Sequence, residues 1–151
     1  DPHALQAAMA ITAEYLPTEG GERIPSDYTL ELSRRARGVD VWAALRTLGR
    51  AGVTELIERN CAQARLFAER LSRAGFEILN DVVLNQVLVA FGDAEKTRRV
   101  IQAIQEDGTC WAGVTVWQGR TAMRISVSSW ATTDADVERS VAAMIRLGTK
   151  A

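Results

Sequence analysis

The chain has 151 residues, 47% hydrophobic and 25% charged, with a net charge of −1 and a pI near 5.9. That is enough apolar content for a buried core. There is no basic surplus for nucleic acid or anionic lipid, and no run near the ~18 apolar residues of a membrane span. A single histidine, His3, and two cysteines without ligand spacing, Cys61 and Cys110, argue against histidine triads and zinc sites.

Residues 3–14 are alanine-rich without an internal breaker and predict a helix. Pro17, Gly20, Gly21 and Pro25 then predict a long exposed loop from Pro17 to Asp27. Val39, Trp42, Ala43, Leu45 and Leu48 make a helical stripe that closes near Gly49. After Gly52, a second helix holds Leu56, Ile57, Cys61, Ala64, Phe67, Ala68 and Leu71 at helical spacing, and Gly75 ends it. In this helix Cys61 reads as a small buried hydrophobe.

The period then changes. Phe76–Leu79 and Val82–Phe91 predict two strands around Asn80-Asp81. Asp93 caps a helix through Gln105 with Val100, Ile101 and Ile104 inward, and Asp107-Gly108 stops it. Thr109–Trp117 and Ala122–Ser128 predict two strands joined by Gln118-Gly119-Arg120. Thr132 or Thr133 caps a last helix that turns Val137, Val141, Met144 and Ile145 to one side. The expected fold class is therefore α+β, a small, mainly antiparallel sheet covered by helices over residues 50–151, preceded by a helix-and-loop extension over residues 1–49.

Four places could hold chemistry. Arg124 alternates with Met123, Ile125 and Val127, so it faces away from them. Its planar fork suits a carboxylate, and it reads also as an exposed strand arginine or one paired with an acidic neighbour. Trp111 and Trp117, set among glycine and threonine, suit the wall of an apolar or aromatic pocket or the core of a half-buried strand. Tyr15, at the mouth of the loop, places a phenol where a general acid could act, or simply packs its ring at a helix end. Ser33, with Arg34, Arg35 and Arg37, offers a hydroxyl and positive charge at a helix start, either for a phosphate or as an ordinary cap.

The order of these features resembles the group II pyridoxal-phosphate decarboxylases, which include the aromatic-L-amino-acid, tyrosine, glutamate and diaminobutyrate decarboxylases. Residues 27–42, DYTLELSRRARGVDVW, are similar to a family signature. Residues 82–91, VVLNQVLVAF, look like its first C-terminal strand pair. Residues 124–136, RISVSSWATTDAD, look like its arginine strand leading into the last helix, and residues 1–9, DPHALQAAM, resemble the stretch just after the cofactor lysine.

The resemblance implies the C-terminal small domain of a fold type I, aspartate-aminotransferase-like enzyme. Residues 1–49 would be the end of the large domain, the mobile loop and an interdomain helix. It implies pyridoxal 5′-phosphate as cofactor, an amino acid as substrate, carbon dioxide release and a homodimer. Tyr15 matches the loop tyrosine that protonates the substrate carbon, Ser33 a small residue near the cofactor phosphate, and Arg124 a strand arginine near the substrate carboxylate. Trp111 and Trp117 would favour a large or aromatic side chain.

The family's lysine motif has no counterpart here. Lys96 is expected on the exposed side of a helix and Lys150 next to the end, so the chain alone is expected to be inactive. An aminotransferase of the same fold type, or a non-enzymatic α+β binding module, remains open at this level. A cytoplasmic setting without nucleic-acid or membrane partners is expected, and the helix around Trp42–Leu56 would meet the large domain, a second subunit or another copy.

Overall fold

The computed structural model describes residues 1–10, 25–30 and 35–150. The chain divides into two units, Asp1–Thr47 and Leu48–Ala151.

In the first unit, α1 (Pro2–Met9) starts where the Asp1 carboxylate accepts from the backbone N–H of His3 at 2.9 Å, with Pro2 preset for the first turn. The residues at 11–14, expected to continue this helix, lie outside the described residues. Pro25–Tyr28 forms a single 3-10 turn, and Asp27 accepts from Gln6 Nε2 at 3.2 Å.

The helix α2 (Arg37–Arg73) is broken at Gly49, whose φ of 62° is costly for any residue with a Cβ. Before the break, the expected stripe of Val39, Trp42, Leu45 and Leu48 is exposed, Trp42 at 64%. After it, residues 50–73 bury Cys61, Ala64, Phe67 and Leu71 at helical spacing. The buried Cys61 is as expected.

The second unit holds a four-stranded sheet in the order β1-β2-β4-β3, with every neighbouring pair antiparallel. Its strands are β1 (Glu77–Ile78), β2 (Gln86–Ala90), β3 (Gly113–Trp117) and β4 (Arg120–Ser126). They are shorter than the apolar runs predict. Val83 and Leu84 are β-branched or apolar, yet they find no partner strand and stand exposed in the loop between β1 and β2. Asn80 shapes that loop: its Nδ2 donates to Asp81 O and Gln86 O, and its Oδ1 accepts from Leu88 N at 2.8 Å. Arg120, expected in the hairpin turn, belongs to β4 and pairs with Trp117. The turn is Gln118-Gly119 alone, with φ of 49° and 76°, the signature of a type I′ hairpin.

α3 (Ala94–Asp107) is capped by Asp93, which accepts from Lys96 N at 2.8 Å, and ends at left-handed Gly108. α4 (Asp134–Lys150) begins with a reciprocal cap: Thr133 Oγ1 accepts from Asp136 N, and the Asp136 carboxylate accepts from Thr133 N. Residues 50–73 of α2 join α3 and α4 on one side of the sheet. There Phe67, Leu71, Val100, Ile104, Val141 and Met144 pack with Val87, Val89, Met123 and Ile125 of the strands. Phe76 and Phe91 close one end with ring centroids 4.7 Å apart, beneath Gly148. The predicted helical cover is thus one-sided.

Candidate functional site on the open face of the sheet

Strand register decides which residues share the uncovered face. Residues directly opposite in neighbouring strands point the same way, and the side alternates along each strand. Leu88 lies opposite Arg124 and Arg124 opposite Gly113. Trp117 lies opposite Arg120, and Glu77 opposite Ala90. The core residues Val87, Val89, Met123 and Ile125 take the helical side. Hence Glu77, Leu88, Ala90, Arg120, Ala122, Arg124, Gly113, Thr115 and Trp117 share the open face.

Arg124 is exposed there, as its alternation predicts, and among the described residues its side chain has neither an ion-pair partner nor a hydrogen bond. A guanidinium left free on a face floored by buried Leu88, Ala90 and Ala122 is suited to a carboxylate from outside. Beside it, the Trp111 ring carbons lie 3.7 Å from where a Cβ at Gly113 would stand. A Cβ there would meet the indole at ordinary contact distance, so the ring lies over the Gly113 position, which pairs with Arg124. Trp111 is 77% exposed.

Trp117 sits apart. It lies four residues along β3 from Gly113, roughly 13 Å at strand rise. With Ile78, Leu79, Asn80, Asp81 and Gln118 it lines an open depression of about 520 Å³. Next to it, both Arg120 guanidinium nitrogens donate to the two Glu77 carboxylate oxygens at 2.6 Å. This pairing holds the Glu77 carboxyl below its ordinary range and raises Arg120. Trp111 borders a different cleft, of about 210 Å³, whose other walls include Cys110, Ile125, Asp136 and Ser140. Burial pushes the Cys110 thiol up, against a hydrogen bond with Ser140 and together with the charge of Asp107. The three residues singled out for substrate therefore share no pocket: Arg124 pairs with Gly113, over which the Trp111 ring lies, and Trp117 belongs to the far end.

Tyr15 and Ser33 lie outside the described residues. Of the basic cluster beside Ser33, Arg35 donates to Asp40 at 2.7 Å, just inside α2. Sequence reasoning missed Gly113 as the seat of the indole, the Glu77–Arg120 pair and the role of Asn80. It also missed a polar patch on α2. Arg59 donates to Trp130 O at 3.1 Å, and Gln63 Nε2 donates to Thr132 O and Asp134 Oδ1 at 3.0 Å, which ties down the connection from β4 to α4. No local pattern announces contacts made across 69 to 71 positions. No group of metal-binding side chains occurs among the described residues, nor any helix long and apolar enough to cross a membrane.

The family described as the pyridoxal-dependent decarboxylase conserved domain matches residues 1–92. Tryptophan decarboxylase 1 of Oryza sativa subsp. japonica is 30% identical over 149 residues, covering 85% of this chain and 28% of that protein. The crystal structure of Oryza sativa TDC with PLP and tryptamine superposes with a TM-score of 0.78 at 22% identity, covering 99% of this chain and 34% of that one. Catharanthus roseus tryptophan decarboxylase in complex with L-tryptophan gives 0.73 at 20%, with the same coverage. Mouse CSAD gives 0.71 at 17%, over 95% of this chain and 34% of that one. The chain belongs to the pyridoxal-dependent decarboxylase family. Its fold is that of the matching part of these enzymes, and it spans about a third or less of their length.

Pyridoxal chemistry needs a lysine amine at the site. The chain has two lysines. Lys96 is half-buried rather than on the exposed side expected, because its side chain lies over Gly92 in the first turn of α3, in the helical layer. Lys150 ends α4 and is exposed. Neither stands on the open face, so the described residues do not fit a covalently held pyridoxal group.

Proposed function

We propose that this chain is the C-terminal part of a pyridoxal-phosphate-dependent L-amino-acid decarboxylase of fold type I, acting as a homodimer, with an aromatic amino acid as substrate. The observation behind this reading is the unpaired Arg124 on the helix-free side of the sheet, opposite the Gly113 position that the Trp111 ring overlies, in a chain of a decarboxylase family. The relatives whose names specify tryptophan or tryptamine support the aromatic preference.

In this reading the lysine that holds the cofactor is supplied by sequence beyond these 151 residues, and the chain alone is inactive. Arg124 binds the substrate carboxylate and Trp111 lines the space for its side chain, while Trp117, roughly 13 Å along the strand, stands outside that space. Ser33 contacts the cofactor phosphate. Tyr15 donates the proton that replaces the lost carboxylate on the substrate carbon. The two unpaired cysteines are compatible with a cytoplasmic setting.

The test is an assay of the intact protein with L-tryptophan, L-tyrosine and L-glutamate, scoring carbon dioxide and amine against keto acid. Amine with carbon dioxide is expected. Keto acid would identify an aminotransferase instead, and no product from any amino acid would return the chain to the class of binding modules. In the intact enzyme, Tyr15→Phe is expected to lower amine formation or divert the product; an unchanged rate and product would remove Tyr15 from this role.

A further inference from the structure

We propose that β3 is a docking edge for a second copy of this chain, paired antiparallel about Thr115 so that two sheets become one. The proposal stands on strand geometry alone and is independent of the decarboxylase reading.

The sheet has two edges, and the two-residue β1 is too short to template another strand, whereas β3 has five residues. Which backbone groups β3 leaves free follows from its neighbours. Val127 N donates to Asn85 O, so the odd-numbered positions of β4 turn their backbone groups to β2 and the even-numbered ones turn theirs to β3. Arg120, Ala122 and Arg124 therefore bond Trp117, Thr115 and Gly113. The N–H and C=O groups of Val114 and Val116 point outward, with no backbone partner among the described residues. The strand has none of the usual edge protection: no charge, no proline and no bulge in its register.

A two-fold antiparallel pairing must match outward residues to outward residues, which leaves three registers near the centre of the strand. Placing Val116 against Val116 of the second copy drives Gln118, a turn residue with φ of 49°, into the ladder. Placing Val114 against Val114 needs the carbonyl of Ala112, which already accepts from Gln105 Nε2 at 2.7 Å. Placing Val114 against Val116, about Thr115, meets neither obstacle. It makes four backbone hydrogen bonds.

The sequence Gly113–Trp117, GVTVW, is nearly palindromic about that point. Val114 and Val116, 58% and 65% exposed, meet their counterparts on the helical side. On the open side, the two Thr115 side chains meet and each Trp117 covers a Gly113, a favourable pairing for a strand glycine. The contact is smaller than the roughly 800 Å² per partner of a stable complex, so the dimer forms at high protein concentration. It uses none of the residues of the Trp42 stripe of α2.

Cross-linking reads the register. Thr115→Cys, in a Cys110→Ser background with Cys61 buried, places two thiols across a non-bonded pair at a spacing a disulfide accepts. Mild oxidation of the 151-residue chain at high concentration is expected to cross-link it at least ten-fold faster than Glu95→Cys on exposed α3. Adding Val116→Lys, at an exposed position that leaves the thermal melt unchanged, is expected to remove that advantage, while adding Trp42→Glu leaves it intact. Equal rates for the two cysteines, persistence with Val116→Lys, or loss with Trp42→Glu would each overturn the proposal. If Val116→Lys alters the melt, Val114→Lys takes its place with the same expected outcomes.

Discussion

Glu77 and Arg120 meet from strands 43 positions apart because antiparallel pairing brings the start of β1 and the start of β4 to one edge of the open face. Among the described residues, three carboxyls are held below their ordinary range by such partners: Glu77 by Arg120, Asp107 by hydrogen bonds from Thr109 and then Arg146, and Asp136 by Thr133. A carboxyl depressed in the folded state stabilises the fold above its unfolded pKa, and that contribution is lost as pH falls through the depressed value. Urea midpoints of the chain are therefore expected to fall from about pH 5 downward. Glu77→Gln is expected to flatten part of that fall; an unchanged slope would deny the pair a role. Thr133→Ala removes one half of the α4 cap and is expected to cost about 1 kcal/mol in urea unfolding. In the intact enzyme, Arg124→Met is expected to raise the substrate KM by roughly ten-fold or more, the scale of a lost charge-assisted bond. An unchanged KM would leave Arg124 as a solvated strand residue.

At the scale of elements, the last turn of α4 lies on the Phe76–Phe91 pair. A Cβ at Gly148 would stand 2.7 Å from the Phe91 ring and 2.8 Å from Phe76, closer than packed atoms allow. Gly148→Val is expected to destabilise the second unit by about 1–3 kcal/mol, the usual cost of overpacking, read from the urea midpoint. The ends of α3 and α4 and the β3–β4 hairpin were legible because their signals are local: Asp93 and Gly108, Thr133 with Asp136, and Gln118-Gly119 act over a few positions. The strand lengths were not. An apolar run such as Val82-Val83-Leu84 looks like a strand whether or not a partner lies alongside, and β1 pairs for only two residues.

For the whole molecule, the packed cluster from Ala64 to Met144 lies entirely in the second unit. Residues 48–151 alone are therefore expected to unfold cooperatively with a urea midpoint close to that of the full chain. A non-cooperative transition would show that the first unit is needed. The exposed stripe of Val39, Trp42 and Leu45 was correctly read as a helical face, and its periodicity says that it is apolar without saying what covers it.

The sequence by itself determined the order of elements, their caps and turns, the alternation that turns Arg124 away from Met123 and Ile125, and the family resemblance carried by residues 27–42. Each of these rests on backbone chemistry within a few residues, or on motifs in fixed order. The tertiary structure alone decided that the helices cover one side of the sheet, that the Trp111 ring overlies the Gly113 position paired with Arg124, and that Trp117 stands at the other end with Glu77 and Arg120. Strand order and register settle those relations, and they depend on contacts between residues far apart in the chain. Arg124 thus began as one of many strand arginines, and its place on the uncovered face, without a partner, is what makes it the residue to test.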